Sequence, residues 1–181
     1  MKRLCPFLLA LCLLLCGCGA SKAGEEYQSF AGDLSARSDL AFTAELRAEY
    51  EDKTLSYTLS YREDAEGCTV TVLAPETIKG VKAHLRAGGS QLEYDTVVLD
   101  TGALDRYGLS PLSALPTLVD TLRCGHLDSA WEEDGQTVWQ LIADDNLSVQ
   151  VWLEGESLTP VHAELISDGR VTVFCDISDW R

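Results

Sequence analysis

Positive charge is scarce in this chain. Its 181 residues carry 14 Lys and Arg against 29 Asp and Glu, a formal charge of −15. A surface of that sign repels nucleic-acid phosphates and anionic headgroups, which excludes nucleic acid as a partner. Long apolar runs are also missing. Leu4 to Leu15 is almost wholly apolar, but a membrane-spanning helix takes about 20 residues. There is no C-x-x-C and no His recurring beside a Cys, so no metal is expected. No Ser stands in a G-x-S-x-G setting. His84, His126 and His162 fall on different predicted strands at outward or end positions, which suits a surface rather than a catalytic centre. These absences lead to the expectation of a protein that is not an enzyme and needs no cofactor.

The N-terminus holds the most specific motif. Met1-Lys2-Arg3 is positive, Leu4 to Leu15 is apolar, and Leu15-Cys16-Gly17-Cys18 follows. That is the three-part layout of a secretory signal. Its end resembles the bacterial lipobox, with an aliphatic residue, two small residues and a Cys. The resemblance implies cleavage before Cys18 and lipidation of its thiol. The expected organisation is a signal peptide over 1–17, a lipidated Cys and flexible tether over 18–26, and one domain over 27–181. The expected location is the extracytoplasmic face of a bacterial cell membrane, held there by acyl chains, since two chains suffice for stable anchoring. Loss of Lys2 and Arg3 would lower the formal charge by two, to −17. Cys68, Cys124 and Cys175 would remain. Three cysteines cannot all pair within one chain, and small buried residues are the expected reading.

Beyond the signal, alternation dominates. Phe42 to Tyr50, Leu55 to Arg62, Cys68 to Val72, Val81 to Ala87, Leu147 to Glu154 and Val171 to Ser178 each alternate apolar and polar residues. Each predicts a strand with one apolar face, as in an antiparallel sheet covered on one side. Weaker strands are expected at 91–99, 126–132, 136–143 and 159–166, and the short turns between them favour a meander. One segment differs. Leu112, Leu115, Leu118, Val119 and Leu122 recur at helical spacing, with Ser110 as cap, Pro111 at the first position and Gly125 at the end. Pro116 predicts a kinked helix or two short ones. A second helix is expected over 25–37. The fold class is therefore mainly β (α+β): a curved antiparallel sheet forming an unclosed half-barrel around a helical plug.

At this point the chain resembles the LolA/LolB-type lipoprotein-localisation fold, and within it the GerS-like, sporulation-associated lipoproteins of spore-forming bacteria. The residues that carry the resemblance are Phe42-Thr43-Ala44-Glu45-Leu46, Thr71 to Val81, Leu99 to Leu104 with Leu109 to Pro116, Val151 to Pro160, and the strand from Val171. It implies eleven strands in an unclosed barrel, a helical lid, and an apolar cavity that holds lipid or acyl chains in some relatives. The inward positions that would line such a cavity are Phe42, Leu46, Tyr57, Leu59, Val70, Val72, Leu85, Leu115, Val119, Val149, Val151 and Val173.

The leading expectation is an anchored lipoprotein that binds a lipid-like ligand or an envelope protein partner, in sporulation, germination or envelope assembly. An alternative is a protein–protein scaffold with a filled cavity. A third reading is an aspartic protease using Asp100, because Leu99-Asp100-Thr101-Gly102-Ala103 matches the active-site string of those enzymes. The continuation holds Leu104 and Arg106, and the chain has no second such string. A strand ending in an Asp-Thr-Gly turn explains it better. Glu132-Glu133-Asp134 and Asp144-Asp145 lack calcium-loop spacing. Trp139, Trp152 and Trp180 invite a sugar-stacking surface, and Trp152 falls on the wet face of its strand.

Overall fold

The computed structural model describes residues 22–50, 53–87, 89–102 and 110–181. The signal segment and Cys18 lie outside them. The described chain folds as α1 (Lys22–Ala36), β1 (Ala41–Tyr50), β2 (Lys53–Asp64), β3 (Gly67–Ala74), β4 (Lys82–Arg86), β5 (Gly89–Tyr94), β6 (Val97–Gly102), α2 (Pro111–Cys124), β7 (His126–Glu133), β8 (Gln136–Ile142), β9 (Leu147–Glu154), β10 (Thr159–Ser167) and β11 (Arg170–Ser178).

All eleven strands join one antiparallel sheet in the order β6-β5-β4-β3-β2-β1-β11-β10-β9-β8-β7. The chain meanders outward for six strands and reaches β7, at the opposite edge, by way of α2. It then meanders back until β11 pairs with β1, Thr43 opposite Ser178 and Ala48 opposite Val173. β6 and β7 do not pair with each other, so the barrel stays open.

Burial follows the alternation. Ala44, Leu46, Leu59, Val70, Val149, Val151, Val173 and Cys175 form the covered face, and Leu115, Leu118, Val119 and Leu122 of α2 press onto it. From α1, Tyr27, Ala31 and Leu34 recur at helical spacing and enter the same core. Tyr27 and Phe30 each meet Trp139 edge-on, with ring centroids 5.4 Å apart. Phe42 is stacked between Tyr61 and Trp180, both at 4.9 Å.

Several expectations need correction. The stretch 91–99 is not one strand but parts of β5 and β6, which turn at Asp95, a residue with φ +56°; Asp tolerates that left-handed conformation. α2 is one continuous helix despite Pro116. That proline is buried, and packing of the helix on the sheet outweighs the single backbone bond it forgoes. Ser110 does occupy the cap position but makes no capping bond through its side chain. Instead Ser113 Oγ donates to the Ser110 carbonyl at 3.0 Å. α1 begins at Lys22, within the stretch read as tether. Cys124 is exposed, not buried. Trp139 is fully buried, so the three tryptophans do not share a surface.

Candidate functional site

Residues of α1, α2 and β2 meet at Arg123. Its Nη1 and Nη2 donate to Glu63 Oε1 and Oε2 at 2.8 and 2.7 Å. Its Nε and Nη2 also reach the Leu34 carbonyl at the end of α1, each at 3.3 Å. The ion pair with Glu63 raises the guanidinium pKa further, against a smaller opposing effect of burial. Tyr27 Oη adds a second tie, donating to the Gly125 carbonyl at 2.7 Å. Both helices are thereby fastened across the concave side of the sheet.

This closure decides where the expected lining residues go. Phe42, Leu46, Leu59, Val70, Val72, Leu115, Val119, Val149, Val151 and Val173 are buried in the core beneath the helices, and Tyr57 and Leu85 pack against it half-buried. Open space lies elsewhere. A cleft of about 1060 Å³ runs between α2 and the β2–β6 arm. Leu85 lines it, but so do Glu63, Arg86, Asp100, Thr117 and Asp120. Its walls are as much polar as apolar, a poor match to an acyl chain. A smaller hollow of about 410 Å³ on the outer face touches Leu46 and Tyr57, with Arg47, His162 and Asp176 around it.

Two groups in the larger cleft are electrostatically unusual. Burial pushes the Cys68 thiol up to about 11, although a hydrogen bond from Tyr61 opposes the shift. Burial likewise raises the Asp120 carboxyl, with Arg123 opposing and Glu63 adding to the rise. Asp100 is exposed on β6 and accepts from the Gly102 N–H at 3.2 Å, while Thr101 Oγ1 donates to the Ser90 carbonyl at 3.1 Å. The string lies within the end of β6, where the pairing with β5 shifts register between Asp100 and Gly102, rather than in a turn beyond the strand.

The sheet edges differ in a way the sequence reading missed. Both edge strands carry a register shift against their neighbour, but β7 also carries Asp128, Glu132 and Glu133, charges that guard an edge against pairing. On β6, Val97, Val98 and Leu99 are 55%, 57% and 59% exposed. Val98 points to one face of the strand, and Val97 and Leu99 to the other. Three consecutive apolar residues broke the alternation and were the available signal.

No protein-family model and no curated protein sequence matches this chain. Solved structures do. A LolA-superfamily protein from Nitrosomonas europaea superposes with a TM-score of 0.52, covering 87% of this chain and 92% of its own at 13% identity. The fold is LolA-like. An uncharacterised conserved protein from Thermus thermophilus also reaches a TM-score of 0.52, covering 88% of this chain and 87% of its own at 9% identity. A chain from the complex of the CwlD amidase with the GerS lipoprotein, from Clostridioides difficile, covers 90% of this chain and 96% of its own at 17% identity. Its TM-score is 0.43. Identities this low speak for the LolA-like fold and nothing finer.

Proposed function

We propose that this protein is a non-enzymatic binding protein of the bacterial envelope, anchored through Cys18, whose LolA-like domain docks an extended segment of a protein partner along β6. The exposure of Val97, Val98 and Leu99 on an edge strand carries this reading. An added strand would complete the hydrogen-bond ladder and cover apolar side chains on both faces of β6 at once. A lipid would need one concave apolar wall, and the helices already occupy the concave side. Lipid binding in the cleft beside α2 is the second reading, supported by its volume of about 1060 Å³ and opposed by its polar walls. Setting the protein in sporulation, germination or envelope assembly, and anchoring it on the extracytoplasmic face, follow from the sequence resemblances. The protease reading has only Asp100 behind it, and Asp100→Asn should leave biological activity intact.

A photo-crosslinking residue placed at Val98 tests the proposal in the producing cell. A discrete crosslinked protein is expected from Val98, and none from Thr172 on a central strand. If Val98 gives no product while the purified chain carries lipid at fixed stoichiometry, the lipid reading replaces this one. Incorporation of labelled fatty acid, lost in Cys18→Ala, is expected if the anchor exists.

A further inference from the structure

Trp152 stands on the solvent side of β9, where the alternation of its strand places it. Cross-strand register puts it in a row. Trp131 of β7 lies opposite Val138 of β8, Val138 opposite Trp152, Trp152 opposite His162 of β10, and His162 opposite Asp176 of β11. All five lie on the convex face, away from the helices. Val138 is fully buried although it is not part of the main core. Both indoles stand directly opposite it in the register. Trp131 remains 38% exposed.

The rings are held rather than loose. Glu133 Oε2 accepts from Trp131 Nε1 at 3.4 Å and from Trp152 Nε1 at 3.2 Å. Trp152 also meets the His162 ring edge-on at 4.9 Å, and His162 Nδ1 is bonded to Asp176 Oδ1 at 2.7 Å. The neighbouring row brings Gln140, Gln150 and Glu164 side by side. The result is an aromatic stripe on the convex face of the sheet, with hydrogen-bonding side chains beside it.

We propose that this convex stripe is a binding platform for an uncharged β-linked polysaccharide. A pyranose ring offers a C–H face to an indole and equatorial hydroxyls at its rim. The hydroxyls would donate to the Glu164 carboxylate and exchange hydrogen bonds with the Gln140 and Gln150 carboxamides. The backbones of Trp131 and Trp152 are two strands apart, about 10 Å at the usual strand spacing, a separation suited to alternate sugar rings of an extended β-linked chain. The surrounding acids and the net charge of −15 repel anionic glycans and favour a neutral one. Indole N–H groups already bonded to Glu133 fix the rings before the ligand arrives, which reduces the ordering cost of binding. The platform lies on β7 to β10, toward the opposite edge of the sheet from β6, so either proposal can fail without the other.

The test is tryptophan fluorescence of the full chain in detergent, titrated with chitohexaose and with cellohexaose. Saturable emission change with at least one is expected. Trp131→Ala and Trp152→Ala should each weaken binding roughly tenfold, with Trp152→Phe retaining most of it. An unchanged melting temperature would show that the fold is intact. Should an alanine variant unfold, Gln150→Ala, at the rim, is expected to weaken binding several-fold without altering emission of the free protein. No response to either oligosaccharide at millimolar concentration overturns the proposal. Undiminished affinity in Trp131→Ala and Trp152→Ala, or in Gln150→Ala where they do not fold, overturns it too.

Discussion

Arg123 shows how much one side chain can organise. It is bonded to Glu63 and to the Leu34 carbonyl, and its side chain and that of Glu63 are only 15% and 16% exposed. Truncation would strand a carboxylate in a poorly solvated place, where the loss exceeds the net worth of the pair. Arg123→Ala should destabilise the domain by about 2–3 kcal/mol, measured by urea unfolding. Asp120 works in the opposite sense. Its carboxyl pKa is raised on folding, so the folded state holds the proton more tightly than the unfolded chain does. Stability is therefore greater below the ordinary value of 3.8 and falls as pH rises through the raised folded value. Asp120→Asn should gain about 0.5 kcal/mol or less at neutral pH, after discounting for solvent screening, and the gain should vanish in melts recorded below that ordinary value. The cysteines follow their burial. With Cys175 pushed up to about 12 and Cys68 to about 11 by desolvation, iodoacetamide at pH 8 should modify exposed Cys124 first. Cys68 should follow slowly, and Cys175 only in denaturant, as read by peptide mass spectrometry.

At the scale of the element, α2 illustrates what spacing can and cannot reveal. The recurrence of Leu112, Leu115, Leu118, Val119 and Leu122 announced a helix and its buried side. It said nothing of the tightness at the helix end. Gly125 has an ordinary backbone there, φ −67°, so conformation alone does not demand glycine. Space does: a Cβ would lie 2.6 Å from the Thr121 carbonyl oxygen, the same oxygen that accepts the Gly125 N–H at 2.9 Å. Gly125→Ala should cost about 1–3 kcal/mol, seen as a lower thermal midpoint. The β5–β6 hairpin is the complementary case. The run Val97-Val98-Leu99 breaks the alternation, but only its place at the sheet edge leaves those side chains uncovered.

For the whole molecule, the contrast between the edges bears on behaviour in solution. β7 is charged, whereas β6 presents an apolar stretch at Val97 to Leu99, so any strand-mediated association should run through β6. Val98→Lys should reduce self-association and partner binding, checked by analytical ultracentrifugation and by crosslinking. The melting temperature should change little, because surface substitutions away from packed features stay within about 0.5 kcal/mol.

What the amino-acid order determined by itself was local. Period-two alternation assigned inner and outer faces to six strands correctly, because a strand's side chains must alternate whatever its partners are. Helical spacing located α2, because side chains three and four residues apart share one face of a helix. The tertiary structure decided everything that depends on distance in the chain: the pairing of β1 with β11, the passage of α2 between opposite edges, and the Arg123 tie between helices and sheet. It also decided that most of the inward residues pack beneath the helices while Leu85 faces the cleft beside α2. An apolar side chain facing inward looks the same in either case, and only the seating of both helices over the concave face removes the space between them.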